Sequence, residues 1–180
     1  MNDNKVYIKM NKPFDEIYTK KIDADQLVEY LINNNIIDSD TKIWLPFNDF
    51  VEGSDNIAYS LGSHGINFLY GNENDFYEES KTFNNYKIII SNPPFSKRTK
   101  LFTRLMELDK PFILLQPIQA FNNNSFVKML CEHSNDFGFL CPKSRMGFIV
   151  NGEEKEKKTA FYSFWLCYKT KIKGWKSMEE

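Results

Sequence analysis

Histidine and cysteine are scarce in this chain, and neither charge sign dominates. Only His64 and His133 accompany Cys131, Cys141 and Cys167, and no combination of them has the spacing of a zinc site. Three widely separated cysteines exclude a disulfide framework and read as reduced thiols within a core. No apolar run approaches membrane-spanning length. Met1-Asn2-Asp3-Asn4 lacks the charged and apolar regions of a signal peptide, so a cytoplasmic location is the expectation. A net charge of −1 and a pI near 6.2 are not the footprint of a strong autonomous nucleic-acid binder. Any such role must rest on a local basic patch.

What the chain does have is apolar and aromatic mass. Hydrophobic residues make up 42% and aromatics 16%, with Phe leading, which is enough for one domain of 180 residues with a three-layer core. There is no internal repeat.

One stretch organises the rest. Lys87-Ile88-Ile89-Ile90-Ser91 is a short β-branched run that ends on Asn92-Pro93-Pro94-Phe95. Asn-Pro-Pro supports neither a helix nor a ladder, so the run reads as a strand buried on both faces and stopping at Ser91. Each proline fixes its own φ and restricts the residue before it, which makes a stiff corner at the strand's carboxyl end. Open α/β sheets bind ligands at that end. The corner carries the groups needed to hold a planar amine. The Asn92 amide oxygen and the Pro93 carbonyl can each accept an amino proton, and Phe95 can stack on the ring. The competing reading is a plain loop.

Around this strand the chain reads as an α/β alternation. Residues 1–22 form an irregular N-terminal arm. A helix over 23–35 buries Leu27, Val28, Leu31 and Ile32 and ends at an Asn run. A strand over 41–45 leads into the loop Pro46-Phe47-Asn48-Asp49-Phe50-Val51-Glu52-Gly53. Ser54 can cap the next helix, which stops near Gly62–Gly65. A strand over 66–70 completes a unit that could hold a nucleotide-type cofactor. Beyond the corner, Ser96 can cap a helix reaching Leu108, with Leu101, Phe102, Leu105 and Met106 inward. On that helix Lys97, Lys100 and Arg104 make a basic stripe with Arg98 beside it. The stripe is either a solvated face or a track for phosphates. A strand over 112–115, a helix over 125–133 and a strand remnant at 138–140 follow. Residues 145–150 and 159–169 read as a hairpin, and 171–180 as a tail.

Asn92-Pro93-Pro94-Phe95 resembles the Asn/Asp-Pro-Pro-Tyr/Phe motif of S-adenosylmethionine-dependent amino-methyltransferases, chiefly the DNA N6-adenine enzymes. Ile43-Trp44-Leu45-Pro46-Phe47-Asn48, Asn74-Asp75-Phe76 and Lys110-Pro111-Phe112 are similar to the small phage and prokaryotic members. The resemblance implies a Rossmann-like methyltransferase fold: a mostly parallel mixed sheet, helices on both faces and a C-terminal antiparallel hairpin. Length leads one to expect a single domain over 1–180, with no residues to spare for a separate target-recognition domain.

The resemblance also implies roles for residues. Asn92, Pro93, Pro94 and Phe95 would be catalytic, and Asn92 would also touch the cofactor. Tyr18-Thr19-Lys20 is similar to a Tyr-Thr-Pro segment that closes over the methionine end, although the proline is missing, and this gives Thr19 a cofactor role. Pro46, Phe47, Asn48, Asp49 and Ser54 would form the cofactor loop, where the usual Gly-x-Gly is absent and only Gly53 stands. The competing reading of Asn48 and Asp49 is a simple turn. Glu73 lies nearest the place of a ribose-binding carboxylate. Asp75 and Phe76 fit that of the adenine contacts. The stretch between Tyr70 and the central strand is shorter than in relatives. Lys97, Arg98, Lys100, Arg104 and Arg145 are candidates for nucleic-acid contact, and Arg145 with Phe148 is similar to an Arg-x-x-Phe near the active-site rim.

The function expected is methyl transfer from S-adenosylmethionine to adenine N6 in DNA, with the base flipped out of the duplex. No metal and no membrane are expected, and a partner protein or a homodimer could supply specificity. The alternatives are an amino-methyltransferase acting on protein glutamine or RNA, and a methyltransferase-like interaction module without turnover.

Overall fold

The apolar runs form strands whose side chains alternate between two cores, and this alternation sets the layering. The computed structural model describes residues 17–47, 55–71, 73–78, 85–150, 153–154 and 161–179. In chain order the elements are β1 (Ile17–Thr19), α1 (Lys21–Asn33), β2 (Ile43–Leu45), α2 (Asn56–Ser63), β3 (Phe68–Tyr70), α3 (Glu73–Tyr77), β4 (Ile88–Ser91) and α4 (Arg98–Leu108). They continue with β5 (Phe112–Pro117), a 3₁₀ turn (Ile118–Asn122), α5 (Asn124–Glu132), β6 (Phe137–Cys141), β7 (Phe148–Val150), β8 (Glu153–Glu154), β9 (Ser163–Tyr168) and β10 (Gly174–Ser177).

The class is α/β, as expected. Seven strands form one mixed sheet in the order β10-β6-β9-β5-β4-β2-β3, and every pairing is parallel except the two made by β9. Ile43, Leu45, Ile88, Ile90, Ile113, Leu115 and Trp165 point into a core shared with α1 and α2. Trp44, Ile89, Phe112, Leu114, Phe164 and Leu166 point to the other face, where α4 and α5 pack. Period-two alternation in strands buried on both sides produces the three layers. Each fully buried Ile or Leu contributes about 1.5–3 kcal/mol.

The helices end where the sequence leads one to expect. Asn35 takes a left-handed φ of 52° just beyond α1, and Gly65 takes a φ of 68° just beyond α2. Their starts differ. α1 begins at Lys21, so residues 17–22 of the expected arm supply β1 and the first helical turn. Asp55, whose carboxylate accepts from the Ala58 N–H at 3.1 Å, caps α2, and Ser54 lies outside the described residues. α4 begins at Arg98 with Lys97 at its N-cap position and no side-chain cap there, so Ser96 does not hold the capping position.

Three further expectations are corrected. Residues 145–150 and 159–169 do not pair as a hairpin. β7 pairs antiparallel with β1 and β8, whereas β9 runs inside the main sheet between β5 and β6. All six residues of β9 are buried, so that strand needs neighbours on both edges and a core on both faces. Residues 138–140 are the middle of a full strand, β6, not a remnant. Nor is 171–180 a loose tail: Ile172 is 4% exposed in the first core, and β10 pairs parallel with β6. Gly138 permits this, because a Cβ there would overlap the Ile172 carbonyl. The cysteines also divide, with only Cys167 fully buried and Cys131 exposed on α5.

Candidate active site

The strand order reverses between β2 and β4. β2 leads through α2 to β3 on one side, and β4 leads through α4 to β5 on the other. A crevice opens outside the carboxyl ends at such a reversal. β2 and β4 are parallel, with Ile43 opposite Ile88 and Trp44 opposite Ile89. Carrying that register forward brings Pro46 and Phe47, just past the tip of β2, alongside Ser91 and Asn92 at the end of β4. Two segments far apart in sequence thus meet at this end of the sheet.

Ser91 is fully buried, and its Oγ has no hydrogen-bond partner among the described residues. Asn92 is half-buried, Pro93 buried, and Pro94 and Phe95 half-buried. The corner is therefore rooted in the core through Ser91 and Pro93, while Asn92, Pro94 and Phe95 keep surface toward the outside.

An aromatic wall stands beside it. Phe47 is half-buried, with its ring centroid 4.8 Å from Phe76 and 6.4 Å from Tyr77. Phe76 itself is fully buried, also touching Trp44 at 5.7 Å, so it backs the wall and leaves no surface to cover a ligand ring. Tyr77, which sequence reasoning passed over, is half-buried, and its phenol is pushed up to about 12 by burial and by nearby Glu73. It stays protonated at neutral pH and remains a donor. Asp75 is half-buried on the same short helix. Gly71, just after β3, donates its N–H to the Leu45 carbonyl at 3.0 Å and packs on the Trp44 indole and on Pro46.

At the same end of the sheet, the Asn56 side chain donates to the Thr19 carbonyl at 2.8 Å, joining the start of α2 to β1. Thr19 is 3% exposed, and its Oγ1 has no partner among the described residues. Tyr70 is raised to about 12 by burial and by hydrogen-bonded Asp55. Asp55 thus links β3 to the α2 cap, a role hinted at only by its place in Ser54-Asp55-Asn56. Asn48, Asp49 and Ser54 of the expected cofactor loop lie outside the described residues.

The basic stripe is mostly engaged within the chain. Lys97 pairs with Glu73 at 2.7 Å, Lys100 sits 4.0 Å from the centroid of the Tyr77 ring, and Arg104 Nε donates to the Phe76 carbonyl at 3.1 Å. Arg104 also reaches Glu107 at 3.4 Å. Three cations expected to face a nucleic acid therefore clamp α3 against α4, and Glu73, expected near a ribose, is one end of that clamp. Arg98 differs. It is half-buried, its Nε is shielded with no partner among the described residues, and burial pulls its pKa down. Arg145 is exposed between β6 and β7, while Phe148 of the same Arg-x-x-Phe is buried opposite Thr19.

No family model and no curated protein matches the chain. Among the described residues no helix is long and apolar enough to cross a membrane, and no group of His, Cys, Asp or Glu could hold a metal ion.

Proposed function

We propose that this chain is a Rossmann-like methyltransferase that uses S-adenosylmethionine to methylate the exocyclic N6 amino group of adenine in DNA. One observation carries the reading: the rigid Asn92-Pro93-Pro94-Phe95 corner ends β4 where the strand order reverses, beside Phe47 at the tip of β2.

The residues around the crevice fit an adenosyl ligand in kind. Phe47 and Tyr77 offer aromatic surface, Asp75 offers an acceptor, and Thr19 offers a buried hydroxyl without a partner among the described residues. When bound, S-adenosylmethionine supplies an electrophilic methyl group on a sulfonium, whose sulfur keeps the bonding pair. The chain's part is to hold and aim the amine. The Asn92 amide oxygen and the Pro93 carbonyl accept the two amino protons, which fixes the nitrogen's direction of attack. Phe95 stacks on the base. As the nitrogen becomes positive, the same two oxygens stabilise it, and one proton leaves to solvent past Asn92. A general base of tuned pKa is not needed before attack, so the scarcity of histidine fits this chemistry. The two prolines pre-set the geometry, so little reorganisation is needed at the moment of reaction.

The test is transfer of a labelled methyl group to DNA, RNA and protein in parallel, with cofactor affinity measured by calorimetry. Asn92→Ala is expected to lower kcat by about 10²–10³ while cofactor affinity changes only a few-fold. Normal turnover in Asn92→Ala would overturn the mechanism. Absence of saturable cofactor binding in the unaltered chain would favour an interaction module.

A further inference from the structure

Resting on the nucleic-acid reading above, we propose that the groove between α4 and α5 is a phosphate site, in which Arg98 receives a backbone phosphate of the strand that carries the target base. The groove has a volume of about 220 Å³, with Arg98, Thr99, Asn123 and Ser125 at one end and Glu132 and His133 at the other. From Arg98 to Met106, also a lining residue, it runs about 12 Å along α4 at 1.5 Å per residue. Phe102 and Phe126, with ring centroids 5.1 Å apart, make its apolar floor.

The chemistry is asymmetric. The mouth near Arg98 is cationic and carries hydroxyl and amide side chains. Glu132, the carboxylate in the lining, lies at the far end and is paired with Lys128 at 3.7 Å. Arg98 Nε is shielded from water and donates to nothing among the described residues. A buried donor left without a partner is uncommon and calls for an acceptor. A guanidinium fork matches the oxygens of a phosphate bidentately, as it does those of a carboxylate.

Position selects the source of the phosphate. Arg98 follows Phe95 by three residues, so the mouth lies at most about 11 Å along the chain from the corner that would hold a flipped adenine. Both α4 and α5 link parallel or same-sense strands of the sheet, β4 to β5 and β5 to β6, so both begin at the carboxyl-end side where the corner lies. Lys97, Lys100 and Arg104 already contact α3, whereas Arg98 makes no such contact among the described residues and borders the groove.

The experiment measures binding of a short fluorescein-labelled DNA, as duplex and as single strand, by anisotropy over a range of salt. Arg98→Gln is expected to weaken binding roughly tenfold at low salt. It should also flatten the slope of log K against log salt by about 0.9 for duplex or about 0.7 for single strand, the loss of one phosphate contact. Arg98→Lys, which keeps the charge, should retain the slope. Lys100→Gln and Lys128→Gln should leave it unchanged. A natively folded Arg98→Gln protein with the unaltered slope would overturn the proposal, as would an equal loss in Lys100→Gln. Saturable binding of inorganic phosphate with no oligonucleotide binding would reduce the groove to a small-anion site and overturn the strand assignment. Calorimetry with S-adenosylmethionine on the same proteins separates the two readings. Cofactor binding together with a DNA slope that does not depend on Arg98 sinks only the phosphate site. An Arg98-dependent DNA slope without cofactor binding sinks only the methyltransferase.

Discussion

Replacing Gly71 by alanine probes the joint that sets the tip of β2, and with it Phe47. A Cβ at residue 71 would lie 2.5 Å from Trp44 Nε1 and 3.2 Å from the Pro46 Cα, whereas ordinary contact begins at 3.4 Å. About 0.9 Å must therefore be found at the indole. The indole has little freedom to supply it. Trp44 is 2% exposed, with Phe76 at 5.7 Å and Tyr86 at 4.9 Å, and the Pro46 contact is backbone. Overpacking of this kind costs about 1–3 kcal/mol. With a urea m-value of about 2 kcal/mol/M, the midpoint should fall by about 0.5–1.5 M. Residue 71 does not have a left-handed φ, so the cost is steric and not conformational. Gly62→Ala is the matched control. It lies in α2 with only Phe68 Cε1 at 3.7 Å, and should gain about 0.5–1 kcal/mol from helix propensity. Urea denaturation of both variants, followed by far-UV circular dichroism, decides the matter. A Gly71→Ala midpoint at or above that of the unaltered protein would refute the packing argument.

Two other perturbations are as direct. Gly138→Ala should detach the segment from Ile172 through β10, because the new Cβ overlaps the Ile172 backbone. The expected signs are faster proteolysis near the C-terminus and a red shift of Trp175 emission, and an unchanged proteolysis pattern would count against that docking. Thiol labelling of the native protein should modify Cys131 first, since burial pushes the Cys141 and Cys167 thiols up and Cys131 is exposed. Labelling of the full set of three should be reached only after denaturation, and rapid native labelling of Cys167 would contradict its place in the core.

Much of the fold was legible because local patterns and burial agree. The Ile88–Ile90 run, closed by two prolines, reads as a doubly buried strand, and it lies between β2 and β5 in the sheet. Leu27, Val28 and Leu31 on α1, and Leu101, Phe102 and Leu105 on α4, recur at helical spacing and are buried as that spacing requires. The misreadings arose where pairing partners are distant. Phe148–Val150 and Ser163–Tyr168 both look like strands, but nothing local states that one joins β1 and the other enters the main sheet. The segment ending in β10 is polar enough to pass for a tail, and only the free edge of β6 and the missing Cβ of Gly138 give it a place.

The candidate site divides in the same way. Asn92-Pro93-Pro94-Phe95 is a stiff corner by its own chemistry, because proline restricts φ whatever surrounds it. Its meeting with Phe47 and the reversal of strand order beside it depend on which strands pair, and pairing is a long-range choice. The charges of α4 show the limit most directly. Spacing placed Lys97, Lys100 and Arg104 on one stripe, but spacing says nothing about what the stripe faces. Tertiary packing brought Glu73, Tyr77 and the Phe76 carbonyl against it and left the Arg98 Nε beside a groove with no partner among the described residues. The sequence by itself determined the stiffness of the corner and the periodicity of the cores, since both follow from bonded geometry and side-chain type. Only the folded chain decided which charges are satisfied, because a charge's partner is set by contacts between segments far apart in sequence.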